Sequence, residues 1–426
     1  MKYDVKQAII CVIGLGYVGL AVAEAFSKSV KVIGYDIAAQ KVDRLNYIKQ
    51  QKHPTDSTNS ANLTVTSDPT QISQADFIII CVPTGVTMSK NPDLSHIESA
   101  AKTVSQFMKR GSMVILESTV YPGVTEEVLK PILEESGMKC GDDFSIAYSP
   151  ERINPGDKEH RLDQVTKLIS GMDEDTVDVV AELYRMITPH LFKVKDIKTA
   201  EAAKVIENIQ RDLNIALVNE LALIFDKMGL STRDVLEAAA TKWNFHFYLP
   251  GLVGGHCIPV DPYYLVYKAK EVGYHPQVIL AGRAINDYMP KHVVEITIKA
   301  LNNSGKVIKN SKVLIMGLTY KENVADTRET PVKVIIKELK EYGVEIFGYD
   351  PLLDNMKDDF GIKVVRNLES VLGIDGVILA AAHDAFRGIA LDDLKSIMNT
   401  NPILVDVREY FNKDEAEAKG FFYKSL

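Results

Sequence analysis

The segment Leu252-Val-Gly254-Gly255-His256-Cys257-Ile-Pro259-Val-Asp261-Pro262 gathers residue types suited to covalent chemistry. Two glycines let the backbone approach a ligand, and the prolines stiffen the chain after the thiol. A cysteine so placed can attack a carbonyl carbon as thiolate. Residue type alone leaves this reading and an unreactive loop cysteine equally open. The other thiols read differently: Cys11 and Cys81 lie inside apolar runs as small core residues, and Cys140 follows a lysine in a loop with no assigned role. Upstream, apolar residues at 202, 205, 206, 209, 213, 216 and 217 keep a helical period from near Thr199. Lys204, Asn208 and Arg211, four and then three apart, stack on the opposing stripe. That stripe is either a solvated face or a strip of ammonium, amide and guanidinium for an anionic or carbonyl-bearing substrate. Glu151, in the proline-rich loop Tyr148-Ser-Pro150-Glu151-Arg152-Ile153-Asn-Pro155-Gly156, is a candidate general base or else an ordinary loop acid.

A second cluster opens the chain. Gly14-Leu-Gly16-Tyr-Val-Gly19 follows the apolar, β-branched run 8–13 and precedes a helical stretch, 20–29. The three glycines suit a tight turn, a close backbone approach and helix–strand packing, so that a pyrophosphate can meet amides at the helix N-terminus. The next strand, 30–35, ends in Asp36, whose carboxylate would accept from the adenosine ribose hydroxyls and repel a 2′-phosphate. NAD is therefore the expected cofactor, with Lys41 nearby slightly blurring the preference over NADP. The competing reading is a glycine turn that serves packing alone. Thr84 and Thr119, each just past a strand, are cofactor hydrogen-bonders or turn and cap residues.

The elements that must position these residues alternate strand and helix. Strands are expected over 77–82 and 113–117, with a helix over 97–108 between them. A weaker copy of the opening appears late. Lys312-Val-Leu-Ile-Met-Gly317-Leu-Thr-Tyr320 resembles Ile10-Cys-Val-Ile-Gly14-Leu-Gly-Tyr17, and Val344-Glu-Ile-Phe-Gly-Tyr-Asp350 echoes Val30-Lys-Val-Ile-Gly-Tyr-Asp36. The copy has lost the second and third glycines but gained Lys321 and Arg328, cations suited to phosphate, with Arg408 beyond a strand over 403–407. The expected fold class is α/β: two Rossmann-like, doubly wound nucleotide-binding-type domains with a largely helical stretch between them. The expected domains are 1–196, 197–302 and 303–426.

Length and charge agree. The 426 residues suit two or three domains at about 150 residues each, with 46% apolar and 25% charged residues. A formal charge of −8 disfavours nucleic acid and anionic lipid as partners. Four cysteines are too few for a disulfide scaffold, no run is long enough for a membrane span, and no His/Cys/Asp cluster has metal-ligand spacing. A cytoplasmic, metal-free enzyme is expected.

Together these motifs resemble the UDP-glucose/GDP-mannose dehydrogenase family from the first glycine loop to Val405-Asp-Val-Arg408. Thr241-Lys-Trp243-Asn244-Phe245, the Pro250 to Cys257 loop and Val260-Asp-Pro-Tyr-Tyr264 resemble the branch acting on UDP-N-acetylhexosamines. Val260 stands where many UDP-glucose enzymes carry lysine; Pro259 and His246-Phe-Tyr-Leu249 depart from the branch pattern. The resemblance implies two Rossmann-like domains joined by a long central helix and a helical dimerisation region, a four-electron oxidation at C6, alcohol to carboxylate with two NAD, and a homodimer or larger homo-oligomer. It implies Cys257 as catalytic thiol, Lys204 as general base, and Glu151, Asn208, Asp261 and Thr119 as assisting groups. Gly14, Gly16, Tyr17, Val18, Gly19, Asp36, Lys41, Thr84, Thr119 and Arg328 would line the NAD site. Arg152, Ile153, Lys204, Asn208, Arg211, Gly255, Tyr320, Lys321 and Arg408 would hold the nucleotide sugar. UDP-GlcNAc or UDP-GalNAc is the expected substrate, with UDP-ManNAc or UDP-glucose as alternative. Behind these stand a two-electron hydroxy-acid dehydrogenase in which Cys257 is idle, and a non-catalytic nucleotide-binding protein.

Overall fold

The computed structural model describes residues 3–51, 61–153, 161–353 and 360–426. The chain divides into two compact units, one of residues 1–207 with 263–275 and one of residues 208–262 with 276–426. The 197–302 stretch is thus shared between them.

The first unit alternates β1 (Ile9–Ile13), α1 (Tyr17–Ser27), β2 (Lys31–Tyr35), α2 (Ala39–Gln51), β3 (Leu63–Thr66) and β4 (Phe77–Ile80). A small hairpin, β5 (Gly85–Val86) and β6 (Pro92–Asp93), precedes α3 (Ser95–Phe107) and β7 (Met113–Leu116). A π-helical turn, Thr125–Leu129, runs into α4 (Lys130–Glu134), and β8 (Ser145–Tyr148), β9 (Lys167–Gly171), α5 (Glu174–Tyr184) and β10 (Leu191–Lys193) follow. The strand order is β10-β9-β8-β7-β4-β1-β2-β3, parallel throughout except for the antiparallel β8–β9 pair. Strands covered on both faces must be apolar on both, which is why Phe77-Ile-Ile-Ile80 and Met113-Val-Ile-Leu116 are unbroken apolar runs with every residue buried. The order reverses between β1 and β4, and the crevice beyond their carboxyl ends is where such sheets bind ligands.

Four helices follow: α6 (Ile197–Met228), α7 (Thr232–Ala240), α8 (Asp261–Glu271) and α9 (Gln277–Asn303). In α6, Val205, Ile209 and Ala216 are buried as the period predicts, but Ile206 and Leu217 are 51% and 56% exposed. The apolar stripe is wider than the face this chain buries.

The second unit repeats the plan with β11 (Lys312–Met316), α10 (Val332–Glu341), β12 (Glu345–Tyr349), β13 (Lys363–Val365), β14 (Ile374–Leu379), α11 (Leu391–Ile397), β15 (Met398–Asp406), α12 (Lys413–Ala418) and β16 (Phe422–Ser425). Its all-parallel sheet runs β13-β12-β11-β14-β15-β16 and reverses between β11 and β14. The two sheets and their helices give the α/β class expected from the strand–helix alternation. Truncating a central side chain such as Ile79 or Ile315, both at 0% exposure, to alanine would cost about 2–5 kcal/mol in either unit.

Candidate active site

The first glycine loop has the local geometry of a dinucleotide site. Gly14 takes φ +89° and donates its N–H to the Tyr35 carbonyl at 2.8 Å. A β-carbon there would stand 2.9 Å from the Cys81 carbonyl oxygen, and one at Gly19 would stand 1.9 Å from the Gly14 carbonyl oxygen. Both positions are closed to side chains by packing at the sheet reversal. A β-carbon at Gly16 would meet no atom within 4 Å, so this glycine opens the α1 N-terminus outward instead. Tyr17, beside it, is 57% exposed and Val18 is half-buried. Asp36 accepts from Leu15 N at 2.9 Å, Ala38 N at 3.0 Å and Lys41 Nζ at 2.6 Å. Burial opposes its ionisation, but the ammonium and the two amides outweigh burial and hold the carboxyl below the ordinary range. Lys41 therefore sits on the carboxylate expected to read the ribose. Anion-ready amides behind a side-chain-free glycine, with a charged acceptor at the next strand end, fit NAD.

Beyond β7, Thr119 is half-buried in a loop tied down by its neighbours. Glu201 of α6 accepts from Gly123 N at 2.5 Å, Thr125 N at 2.9 Å and Thr125 Oγ1 at 2.7 Å. Burial raises the Glu201 carboxyl to about 7 against those hydrogen bonds. One turn further on, Lys204 is only 8% exposed, so the solvated-face reading fails at this position; Asn208 is half-buried and Arg211 exposed. Glu151 follows β8, its N–H on the Glu117 carbonyl at 3.3 Å and its Oε1 accepting from Ile153 N, which bends the acid back over its own loop. Glu151 Oε2 is buried without a hydrogen-bond partner. Arg152 is engaged with the Thr166 carbonyl at 2.6 Å and Glu207 at 2.8 Å. The Pro155-Gly156 end of this loop lies outside the described residues. Beneath it, Glu117 is paired with Lys167 at 3.0 Å and accepts from Tyr184 Oη, a buried trio that the sequence reading passed over. Thr84, between β4 and β5, is half-buried.

The second unit holds the thiol. Cys257 is the exposed one of the four cysteines, whereas Cys11 and Cys81 are buried and burial lifts the Cys11 thiol to about 12. The Cys257 carbonyl accepts from Val260 N at 3.1 Å and Asp261 N at 2.9 Å, turning the chain into α8. Asn208 Nδ2 donates to Asp261 Oδ2 at 2.5 Å, joining two of the residues that the family resemblance names as assisting groups. Gly255, at φ +87°, donates to the Glu329 carbonyl at 3.2 Å, and a β-carbon there would come 2.6 Å from the Tyr320 ring. Hydrogen bonds to Asp326 hold the Arg328 guanidinium above its usual range, with Tyr320 and Cys257 adding to the effect. Arg408 lies along the start of the loop, Nη1 3.5 Å from the Pro250 carbonyl and Nε 3.1 Å from Glu322. Lys321 occupies the turn after β11, where Asp350 accepts from Leu318 N at 2.7 Å and Thr319 N at 3.3 Å. His383, fully buried, is 3.1 Å from the same Asp350 oxygen. The counterpart of Asp36 is thus spent on internal contacts, which fits a loop that has lost its later glycines.

The first unit accordingly carries Gly14, Gly16, Tyr17, Val18, Gly19, Asp36, Lys41, Thr84, Thr119, Glu151, Arg152, Ile153 and Lys204. The second carries Asn208, Arg211, Gly255, Cys257, Asp261, Tyr320, Lys321, Arg328 and Arg408. Arg328 is the one expected cofactor residue placed in the second unit. Among the described residues no group of three or more His, Cys, Asp or Glu could hold a metal, and no helix is long and apolar enough to cross a membrane. Glu201, Asp212 and Asn219 were missed because they are polar side chains standing in the buried register of α6. The signal was available, since 205, 209, 212, 216 and 219 keep the spacing of one helix face.

Comparison with known proteins covers nearly all of the chain. Residues 8–188 match the NAD binding domain, 198–288 the central domain and 314–413 the UDP binding domain of the UDP-glucose/GDP-mannose dehydrogenase family. The chain is 45% identical to Protein CapL of Staphylococcus aureus, over 95% of this chain and 97% of that protein. It is 42% identical to the UDP-N-acetyl-D-glucosamine 6-dehydrogenase of Pseudomonas aeruginosa, over 97% of this chain and all of that one. Among solved structures, the UDP-D-ManNAc dehydrogenase from Pyrococcus horikoshii superposes with a TM-score of 0.88 at 30% identity, covering 98% of this chain and 99% of that chain.

Proposed function

Since this chain belongs to the UDP-glucose/GDP-mannose dehydrogenase family and is an NAD-binding oxidoreductase, we propose that it oxidises C6 of a UDP-N-acetylhexosamine, UDP-GlcNAc or UDP-GalNAc, to the uronate. The observation that carries the reading is Cys257, an exposed thiol on a glycine-lined loop in the unit that also holds Arg328, Tyr320 and Lys321. The relative from Pseudomonas favours the gluco sugar; the structural likeness to the Pyrococcus enzyme keeps UDP-ManNAc as the second reading.

Bound NAD supplies the acceptor for each hydride that leaves C6. Lys204, or a water it holds, takes the C6 hydroxyl proton as the alcohol becomes aldehyde. The Cys257 thiolate then adds to the aldehyde carbon, and the alkoxide takes a proton to give a thiohemiacetal. Loss of that O–H proton with the second hydride leaves a thioester, the oxyanion character at C6 being met by Lys204 and the second N–H of Asn208. Glu151, assisted by Asp261, removes a proton from water as it attacks the thioester, and the thiolate departs. Overall one alcohol, two NAD⁺ and one water give one carboxylate, two NADH and three protons. Covalent capture explains how one site completes two oxidations without losing the aldehyde.

Asp36 supports NAD over NADP, and the exposed stripe of Leu217, Ile224 and Met228 on α6 supports a homodimer. Free cysteines support a reducing, cytoplasmic setting. A spectrophotometric screen of UDP-GlcNAc, UDP-GalNAc, UDP-ManNAc and UDP-glucose tests the substrate. NADH formation fastest with an N-acetylhexosamine is expected. Turnover of UDP-glucose alone, or of a small hydroxy acid instead, would overturn it.

A further inference from the structure

A chain of buried polar side chains runs from α9 through α6 to the beginning of the Cys257 loop, all within the second unit. Arg283 Nη1 donates to Asp212 Oδ1 at 2.6 Å, and Asn286 Nδ2 donates to the same oxygen at 2.8 Å and to the Asp212 carbonyl at 2.9 Å. Asn219 Nδ2 donates to Asn286 Oδ1 at 2.8 Å. The Asn219 carboxamide then grips one residue of the loop from both sides: it donates to the Gly251 carbonyl at 3.0 Å and accepts from Gly251 N at 2.8 Å. Arg283, Asp212, Asn286 and Asn219 are each at most 2% exposed.

We propose that Asn219 is a positioning residue for the catalytic thiol, its carboxamide clamping the Gly251 backbone and so setting where the loop presents Cys257. The proposal rests on the reading of Cys257 as nucleophile. Burying four polar side chains costs free energy unless each is paired, and an apolar core of the same volume would join α6 to α9 at least as well. Apolar packing does not fix a peptide in register, whereas a two-way amide pair fixes both its position and its rotation. Beside the clamped peptide, Arg408 Nη1 stands 2.8 Å from where a Gly251 β-carbon would lie. The far end of the loop is pinned by the Asn208–Asp261 bond at 2.5 Å. Between them Gly254 lies against Pro331 and the Glu329 carbonyl, with β-carbon approaches of 2.6 and 2.8 Å. The thiol therefore stands on a span held at its start, middle and end, and Asn219 holds the start.

The test uses the full-length protein with Asn219→Ala and the milder Asn219→Ser, which keeps one polar contact. Alkylation of all four cysteines by iodoacetamide is followed by peptide mapping, with Cys140 as internal reference, alongside kcat and KM for UDP-GlcNAc and its epimers. The expected result is an alkylation rate at Cys257 altered by at least about threefold with Cys140 unchanged. It is accompanied by kcat lower by about 10²-fold, KM little moved, and the serine variant intermediate. Cys257 and Cys140 moving together, or an unchanged kcat, would mean the clamp is structural and would overturn the proposal. A selective change at Cys257 in a protein that turns over no UDP-sugar would uphold the clamp and overturn the proposed function instead. Should the alanine variant fail to fold, the serine variant decides by the same readings.

Discussion

Asn208 donates a hydrogen bond to Asp261 at 2.5 Å, from the middle of a long helix to the first residue of another. This contact ties the exit of the Cys257 loop to the part of α6 that lies in the same unit. Replacing Asn208 by aspartate sets two carboxylates against each other and removes a donor proposed to meet the developing oxyanion. Steady-state kinetics should show kcat down by about 10²–10³-fold. The dissociation constant for NAD, whose glycine loop and Asp36 are untouched, should hold. A kcat within about twofold of wild type would remove Asn208 from the chemistry.

Asp36 offers a second test. Its carboxylate is charged, shared with Lys41 at 2.6 Å, and held by Leu15 N of the glycine loop at 2.9 Å. Asp36→Asn keeps the shape and loses the charge-assisted acceptor. The KM for NAD should rise about tenfold, equivalent to about 1.4 kcal/mol, and discrimination against NADP should weaken. An unchanged KM would mean that Lys41 already neutralises the group and that cofactor choice lies elsewhere.

Glu201 predicts a pH effect on stability. Burial raises its carboxyl from an unfolded value near 4.5 to about 7 in the fold. Between these values the folded state holds more protons than the unfolded state, so stability falls as pH rises through the window and levels off above about 7. Glu201→Gln removes this titration. Melting temperatures recorded between about pH 5 and 7.5 should decline more steeply for wild type than for the variant. Parallel slopes would show that the bonds to Gly123 and Thr125 do not depend on its charge.

The buried Glu117–Lys167 pair makes a stability prediction. Lys167→Met leaves an uncompensated acid at 1% exposure, already raised in pKa by burial against the attraction of Lys167. Denaturant unfolding should show a loss of about 3–5 kcal/mol, largely recovered in the double variant with Glu117→Gln. A single variant as stable as wild type would show that water reaches the pair.

What the sequence disclosed follows from the range over which each signal acts. The Gly14, Gly16 and Gly19 spacing is a local constraint on φ and on packing distance, and each glycine stands in the geometry its role requires. The late echo was equally legible, since Gly317 at φ +80° repeats Gly14 and Asp350 repeats Asp36 at a strand end. What periodicity could not show is whom a side chain meets. Lys204 and Asn208 share a stripe with Arg211, yet only Arg211 is exposed. Arg152, which the family resemblance assigns to the nucleotide sugar, is engaged in the fold by Glu207, a contact that no spacing in the sequence indicates. Asn219 and Asp212 have no partners nearby in sequence, because theirs come from Gly251 and α9, more than 30 residues away. Ile206 and Leu217 satisfied the helical period without being covered, since a pattern records apolarity and not the surface that meets it.

The most direct measurement is the count of NADH released per nucleotide sugar consumed, with intact-protein mass spectrometry of Cys257, for wild type and Cys257→Ser. Wild type should yield two NADH per uronate with no free aldehyde and a transient thioester mass on Cys257. The serine variant should lose the second oxidation or stall before hydrolysis. Two NADH per uronate from the serine variant at an undiminished rate, or one NADH with aldehyde released by wild type, would contradict covalent catalysis at Cys257.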